Sequence, residues 1–349
     1  MHRERLAPVT SALLGMVETA RQGRLPARAL AIADSRSLVR ALFLASATRA
    51  DLLPYLRTER TLDELIERTG SRRPDRLRAW LGVGADLGEL RRRRDRYRVV
   101  GIRGRALADG DGLLIAHYRS MLEYQIGPYA ELQELLAEGP AQGRGDLERY
   151  ADDIAKVSLA AAPFVSSLVR STVSELGPVR ILDVGCGTGI YTKVALDADP
   201  GAQVDGIDLA QDVIRAARQD MVESGLSSRA QLHVGDVREW LPASGKRFEL
   251  VMLLNNIYYF DRQQRQELYR QLGASLVDGG QLLVVTMTAP GSVAAAHLHF
   301  MLSCQEGTAS LPQRAELVSD LAAAGYQTIE ERKLVPTEPF VGIRARRPG

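Results

Sequence analysis

One stretch of this chain restricts its fold more than any other. Val179-Arg180-Ile181-Leu182-Asp183-Val184 runs without a break into Gly185-Cys186-Gly187-Thr188-Gly189. Apolar, branched residues predict a buried strand there, and Ile190 to Asp197 carries a helical pattern. Glycines at alternate positions let the backbone turn tightly and let a ligand come close, with the N–H groups of the following helix pointing at it. A dinucleotide loop reads G-x-G-x-x-G, whereas this one reads G-x-G-x-G and follows an acid, Asp183. That spacing and that acid suit a ligand bearing an amino acid better than a pyrophosphate.

The strand–helix alternation continues downstream. Gln203 to Ile207 predicts a second strand, with Asp205 inside it as a surface residue, and it ends in Asp208-Leu209. A carboxylate at Asp208 can accept both hydroxyls of a ribose. A helix over 211–225 precedes a strand at Ala230 to Val234 and then Gly235-Asp236-Val237, where Asp236 can accept from an exocyclic adenine amine. Phe248 to Leu254 forms strand four and leads into Asn255-Asn256. Strand five, Gln281 to Thr286, follows a Gly279-Gly280 turn. A helix at Pro312–Ala324 and a hairpin made by Tyr326 to Leu334 and Phe340 to Arg346 close the chain. The pattern predicts an α/β fold with a parallel sheet covered on both faces. Ligands in such sheets sit at the carboxyl ends of the strands, where Asp183, Asp208, Asp236 and Asn255 fall.

The 349 residues suggest two domains. At 45% hydrophobic and 25% charged, the composition is globular and excludes a disordered chain. Two cysteines, Cys186 and Cys304, cannot make a disulfide framework, which points to a reducing, cytoplasmic setting. Neither a secretory leader nor a membrane span is expected. No His/Cys/Asp/Glu set has metal-ligand spacing, so no metal is predicted.

Near-neutrality, 45 Lys+Arg against 43 Asp+Glu, hides an asymmetry. Residues 1–110 hold 23 arginines, no lysine and 13 acids, a net of +10, which leaves −8 for the remainder of the +2 total. Residues 37–49 have apolar side chains at helical spacing. Thr61 and Glu64 make a capping box for a short helix that Gly70 ends. Pro74 opens another helix, Asp75 to Leu87, with Leu77, Trp80, Leu81 and Val83 or Ala85 on one face. A hairpin over 89–100 turns at Arg93–Asp95. Helix, turn, helix and hairpin make a winged-helix pattern. It suits DNA binding through Arg72, Arg73, Arg76 and the wing arginines, or a dimerisation domain whose arginines are solvated. Arginine supplies 41 of the 45 cations throughout the chain, a compositional habit that favours the second reading.

With these motifs in view, residues 179–347 resemble a class I S-adenosylmethionine-dependent methyltransferase: ILDVGCGTG as cofactor loop, GIDL with the ribose acid, GDV with the adenine acid, and FELVMLLNN as strand four. The resemblance implies a Rossmann-like seven-stranded sheet whose last strand is antiparallel. The rest resembles the small-molecule O-methyltransferase subfamily, loosely over 30–100, which implies a mostly α-helical, winged-helix-like dimerisation domain at 1–110. A helical substrate segment at 111–177 and a catalytic domain at 178–349 would follow. S-adenosylmethionine is then the expected cofactor. Asp183, Gly185, Cys186 and Gly187 would surround its methionine end, with Cys186 a space-filler. Asp208 and Leu209 would hold the ribose, Asp236 and Val237 the adenine, and Asn255 would lie near the sulfonium through its backbone.

Tyr118, Tyr124 and Tyr129 cluster in HYRSMLEYQIGPYAEL. Tyr150, Ile154 and Ser158 share one helix face. In the subfamily that helix flanks cofactor and substrate, which makes Ser158 a cofactor residue and Tyr118, Tyr124, Tyr150 and Ile154 substrate residues, with Met301 on the lid. The subfamily's catalytic histidine after strand four has no counterpart. Tyr258 takes the aligned place, and a phenol titrating near ~10 is a poor base at neutral pH. His297 in the expected lid is the other candidate, for catalysis as for substrate contact. His299 stands beside it, His117 precedes the tyrosine cluster, and His233 is expected at a helix–sheet interface.

The expected activity is transfer of a methyl group to O, N or C of a small, aromatic or polyketide-like metabolite by a homodimer. Two alternatives remain at this stage. One is a cofactor-binding relative that catalyses a rearrangement or cyclisation; the other is a DNA-binding regulator that senses S-adenosylmethionine.

Overall fold

The computed structural model describes Gly23, Val157 and residues 25–137, 159–305 and 310–348. The chain divides into two compact units between Ile126 and Gly127, inside the segment expected to be a connector.

In the first unit α1 (Leu25–Arg49) reaches twelve residues further toward the N-terminus than its apolar pattern predicts. Only its last two turns, with Phe43, Leu44, Ala45 and Ala47, are buried. Next come β1 (Arg60–Thr61), α2 (Leu62–Thr69) and α3 (Pro74–Asp86). The Thr61–Glu64 capping box is formed, and Gly70 ends α2 in the left-handed region that a residue with a Cβ rarely enters. β2 (Leu90–Arg93) and β3 (Arg96–Val99) make the wing, and β1 pairs with β3 to give a three-stranded sheet. α4 (Ile102–Ala108), α5 (Gly112–Ser120) and a π-helical turn at Met121–Gln125 complete the unit. Leu44, Leu56, Leu65, Leu81, Tyr97 and Tyr118 share its core.

Several wing arginines are engaged within this unit. Arg91 pairs with Glu59, Arg73 with Asp75, Arg92 donates to the Arg94 carbonyl and Arg98 to that of Arg57. Arg73, Arg92 and Arg98 nonetheless remain exposed, as do Arg72, Arg76, Arg93, Arg94 and Arg96.

The second unit is a three-layer α/β structure. The division falls in α6 (Ile126–Ala130), and α7 (Leu132–Leu136) and α8 (Ala162–Leu176) follow. The sheet contains β4 (Arg180–Val184), β5 (Gln203–Asp208), β6 (Ala230–Val234), β7 (Phe248–Leu254), β8 (Leu276–Met287), β9 (Gln327–Lys333) and β10 (Phe340–Arg346). Its order is β6-β5-β4-β7-β8-β10-β9, with β10 antiparallel to both neighbours. The helices are α9 (Ile190–Ala198), α10 (Gln211–Glu223), α11 (Val237–Ser244), α12 (Arg262–Ser275), α13 (Val293–Ser303) and α14 (Arg314–Ala323). Two apolar clusters cover the two faces of the sheet, one around Val169, Ile181, Leu250 and Leu283, the other around Leu182, Val251, Leu272 and Val284. Consecutive residues of each strand serve opposite faces, which is why β4 and β7 read as unbroken apolar runs.

Two details differ from the sequence expectation. Gly279-Gly280 is not a turn ahead of the strand but part of β8. The pairing with β7 slips there, Phe248 facing Leu276 while Leu250 already faces Gln281, and Gly279 has φ 75°. A pair of glycines absorbs that bulge without ending the strand. Asp205 is not a surface residue. It accepts from Lys246 Nζ (2.7 Å) and pairs with His233 Nε2 (2.9 Å), whose ring packs on Trp240 of α11.

Two glycines of α3 give a matched test of packing in the first unit. A Cβ at Gly84 would lie 2.6 Å from Phe43 Cε2 and 2.9 Å from Leu90 Cδ1, whereas one at Gly82 meets nothing within 4 Å. Gly82→Ala should therefore stabilise by about 0.5–1 kcal/mol through helix propensity, and Gly84→Ala should destabilise by roughly 1–3 kcal/mol through overpacking. Denaturant unfolding of both variants checks the opposite signs.

Candidate functional site

The glycine loop leaves β4 at its carboxyl end, in the middle of the parallel strands. Gly185, Gly187 and Gly189 have φ 65°, 54° and 78°, so all three occupy the left-handed region. The N–H groups of Gly185 and Cys186 both donate to Ile207 O on β5, at 2.8 and 3.1 Å. A Cβ at Gly185 would stand 2.6 Å from Asn256 Nδ2. Cys186 is buried against β5, where a Cβ on Gly206 would lie 3.0 Å from its sulfur. Burial raises its thiol well above the ordinary range, as befits a space-filler and not a nucleophile.

Beneath the loop, Asp183 is 1% exposed and accepts from Thr192 Oγ1 of α9 at 2.7 Å. Burial pushes its carboxyl up to about 7, Thr192 pulls it down, and the Asp208 charge raises it again. Asp208, at the end of β5, accepts from Gly187 N (3.0 Å) and Ala210 N (2.9 Å), which ties the loop to the start of α10. Leu209 beside it is exposed, while Val237 is buried. Asp236 caps α11 by accepting from Arg238 N at 2.8 Å, and the Arg238 guanidinium holds its carboxyl below the usual range. The Asp236 carboxylate is thus engaged by its own helix at the position expected to meet an adenine amine.

After β7 the chain makes an abrupt turn. Asn255 has φ 58°, a conformation asparagine tolerates, and its N–H donates to Val285 O at 2.8 Å. Asn256 donates through Nδ2 to Val184 O. A 3₁₀ turn at Ile257–Tyr259 then presents two phenols whose rings lie 4.9 Å apart. Burial lifts the Tyr258 hydroxyl far above its ordinary value, and Tyr259 and Tyr191 add to the effect. Tyr259 is 42% exposed, yet burial also raises its hydroxyl, as for a side chain lining a concave surface. Tyr191, in the first turn of α9, is raised to about 12 by burial and by the charge on Asp183.

Ser292 caps α13 through Ala295 N at 3.0 Å. Ala295 and Leu302 of this helix form an apolar cluster with Leu311, against which Tyr258 packs. His297 Nδ1 lies 2.8 Å from the Tyr129 hydroxyl, the two rings are within 13° of parallel, and burial lowers the imidazole from its ordinary value. Phe300 packs on Tyr129 from the same helix. His299 Nδ1 accepts from Leu311 N at 3.2 Å, a structural contact. Met301 is buried within α13.

The structure therefore brings Asp183, Gly185, Cys186, Gly187, Asp208 and Asn255 to the carboxyl ends of the neighbouring strands β4, β5 and β7, and Tyr258 lies in the 3₁₀ turn that follows β7. Tyr118 and Tyr124 are buried in the first unit. Tyr150, Ile154 and Ser158 lie outside the described residues. Sequence reasoning passed over Tyr191 and Asn256. The only signal for either was proximity, two residues beyond the glycine loop for one and the second asparagine after strand four for the other. Among the described residues no group of His, Cys, Asp and Glu could hold a metal ion, and no helix is long and apolar enough to cross a membrane.

Residues 181–280 match the family model described as a methyltransferase domain. That matched stretch lies within the second unit and runs from β4 through the glycine loop into β8. Across almost its whole length the chain also shares the fold of the mitomycin 7-O-methyltransferase MmcR, with a TM-score of 0.77 over 94% of this chain and 99% of that one at 17% identity. The structure described as PigF with SAH gives 0.74 over 91% and 98%, at 19% identity. Among curated sequences, the chain is 28% identical over 246 residues to the demethylspheroidene O-methyltransferase of Cereibacter sphaeroides. It is 32% identical over 84 residues to the tRNA1(Val) (adenine(37)-N6)-methyltransferase of Citrobacter koseri. It spans 63% and 34% of the lengths of these two relatives.

Asp183 makes the stability of the second unit pH-dependent. Its folded value, about 7, lies above its ordinary 3.8, so the native state holds a proton that the unfolded chain releases. This contribution is complete below the ordinary value and is lost as pH rises through the folded one. Asp183→Asn, which mimics the neutral acid, should flatten that decline. Unfolding free energies of both proteins between these two pH values check it, and parallel slopes would refute the assignment.

Proposed function

We propose that this protein is an enzyme that transfers a methyl group from S-adenosylmethionine to an O, N or C atom of a small metabolite, with aromatic or polyketide-like acceptors the best match. One observation carries the proposal. Three left-handed glycines stand at the carboxyl end of β4, with Asp183 beneath them and Asp208 at the end of the adjacent strand, the place where doubly wound sheets bind ligands. The residues present fit the cofactor: the loop admits a ligand against bare backbone, α9 offers its N-terminal N–H groups, and Asp208 supplies acceptor oxygens. When bound, S-adenosylmethionine supplies a methyl group on a positively charged sulfur.

The protein's part is alignment and exclusion of water. Asp183, Gly185, Cys186 and Gly187 would border the amino-acid end. Asp208 and Leu209 would hold the ribose, Asp236 and Val237 the adenine, and Asn255 would stand near the sulfur through its backbone. Ser158 joins the cofactor set through the resemblance to the O-methyltransferase subfamily. Tyr118, Tyr124, Tyr150, Ile154 and Met301 are assigned to the acceptor. Tyr258 keeps its proton at neutral pH, since burial holds the hydroxyl far above that range, and so it orients an acceptor oxygen as a hydrogen-bond donor. His297 is kept neutral by burial and can take a proton from an acceptor hydroxyl. Incubation with S-adenosylmethionine and candidate phenols should give products heavier by one CH2 group with equal release of S-adenosylhomocysteine. Tyr258→Phe and His297→Ala should each slow turnover by about 10–100-fold. Product without the mass gain would refute methyl transfer.

The first unit we assign to homodimerisation, and both free, buried cysteines suit a cytoplasmic setting. Over the stretch Leu25 to Val39, α1 is exposed, including Leu30 at 66% and Ile32 at 72%, apolar surface of the kind that a second copy covers. Light scattering after size exclusion should show twice the chain mass for the wild type and one chain mass for a Leu30→Arg, Ile32→Arg double variant. An unchanged mass in the double variant would remove α1 from the interface.

A further inference from the structure

Two polar atoms near the glycine loop are buried and have no partner among the described residues: Asn256 Oδ1 and the Tyr191 hydroxyl. Asn256 is 9% exposed, and its amide is held in one orientation. Nδ2 donates to Val184 O, the last carbonyl of β4, and rests against Gly185, where any Cβ would fall 2.6 Å from it. That bond takes one amide hydrogen and fixes the amide's orientation, and the carbonyl oxygen is the atom left without a partner. An amide oxygen accepts and cannot donate, so only a hydrogen-bond donor completes it. Tyr191 sits in the first turn of α9, two residues beyond the loop. Its hydroxyl keeps its proton, so it has a hydrogen to give. Leaving either group unpaired in the interior is unfavourable, and native structures seldom keep such atoms unless a ligand or water meets them.

An acceptor and a donor that flank one anion-tolerant helix start complement a zwitterion. We infer that Asn256 Oδ1 receives the ammonium, and the Tyr191 hydroxyl donates to the carboxylate, of the α-amino-acid end of the cofactor. The inference rests on the methyltransferase reading and assigns to side chains a task that glycine backbone alone would leave to N–H groups. Both residues act as positioning groups. They fix the amino-acid end and, through it, the distance of the reactive sulfur from the acceptor.

The test needs binding, not turnover. Calorimetry compares S-adenosylhomocysteine, its decarboxylated analogue and 5′-methylthioadenosine, which lacks the whole amino-acid end, on wild type, Asn256→Ala and Tyr191→Phe. Tyr191→Phe should weaken S-adenosylhomocysteine by about tenfold or more while leaving the other two ligands unchanged. Asn256→Ala should weaken S-adenosylhomocysteine and the decarboxylated analogue alike, and leave 5′-methylthioadenosine unchanged. Equal losses for all three ligands, or none, would overturn the assignment. Tyr191→Phe removes a single oxygen, so it decides the carboxylate half even where Asn256→Ala unfolds the protein. A wild type that binds none of the three would instead overturn the cofactor reading itself. Unliganded melting temperatures separate a folding defect from a lost contact.

Discussion

The second unit depends on a turn that only glycine makes without strain. β4 lies at the switch point of the sheet, with β5 on one side and β7 on the other, and the chain must leave it upward and reverse into α9 within five residues. Three left-handed positions accomplish this. The loop is then clamped from one direction by Ile207 O and Asp208, which together take three of its N–H groups, and from the other by the Asn256 amide. A methyl group at the first of these glycines would strike that amide. The clamp and the glycines are therefore one device, since neither has meaning without the other.

Around this loop the interior is polar but largely uncharged. Burial raises the Asp183 carboxyl to about 7, and it pushes up the Cys186 thiol and the Tyr258 and Tyr191 hydroxyls as well. Burial is the main cause in each case, with nearby carboxylates adding to it for Cys186, Tyr191 and Tyr259.

Much of this was legible in the residues. The loop announced itself because glycine at alternate positions after an apolar run has few structural explanations. Asp208 and Asp236 could be found because each follows the end of an apolar strand, as Gly206-Ile207-Asp208 in one case and Gly235-Asp236 in the other. The winged-helix elements followed from one capping box, one N1 proline and one C-terminal glycine, all local signals. Tertiary facts were the part that could not be read. Asp205 looks like a strand surface residue until Lys246, 41 positions away, comes to lie on it. Asp236 looks free until Arg238 folds back onto it. Gly279-Gly280 reads as a turn because the bulge that needs it exists only once β7 is alongside. Asn256 carries no pattern of its own, because its task is defined by Val184 and Gly185, some seventy residues earlier.

The position of β10 has a consequence for how the protein is made. This strand enters the sheet between β8 and β9, pairing with Gln281 to Met287 on one side and Gln327 to Lys333 on the other. In chain order it is the last of the seven, and β9 has no other partner in the sheet. During synthesis the parallel strands β4 to β8 can associate as they emerge, while β8 presents a bare hydrogen-bonding edge and β9 stays unplaced until Arg346 has cleared the ribosome. Closure of the sheet is thus a late, long-range event. The edge of β8, with Leu282 to Val285 fully buried in the finished fold, is the surface left unpaired in the meantime.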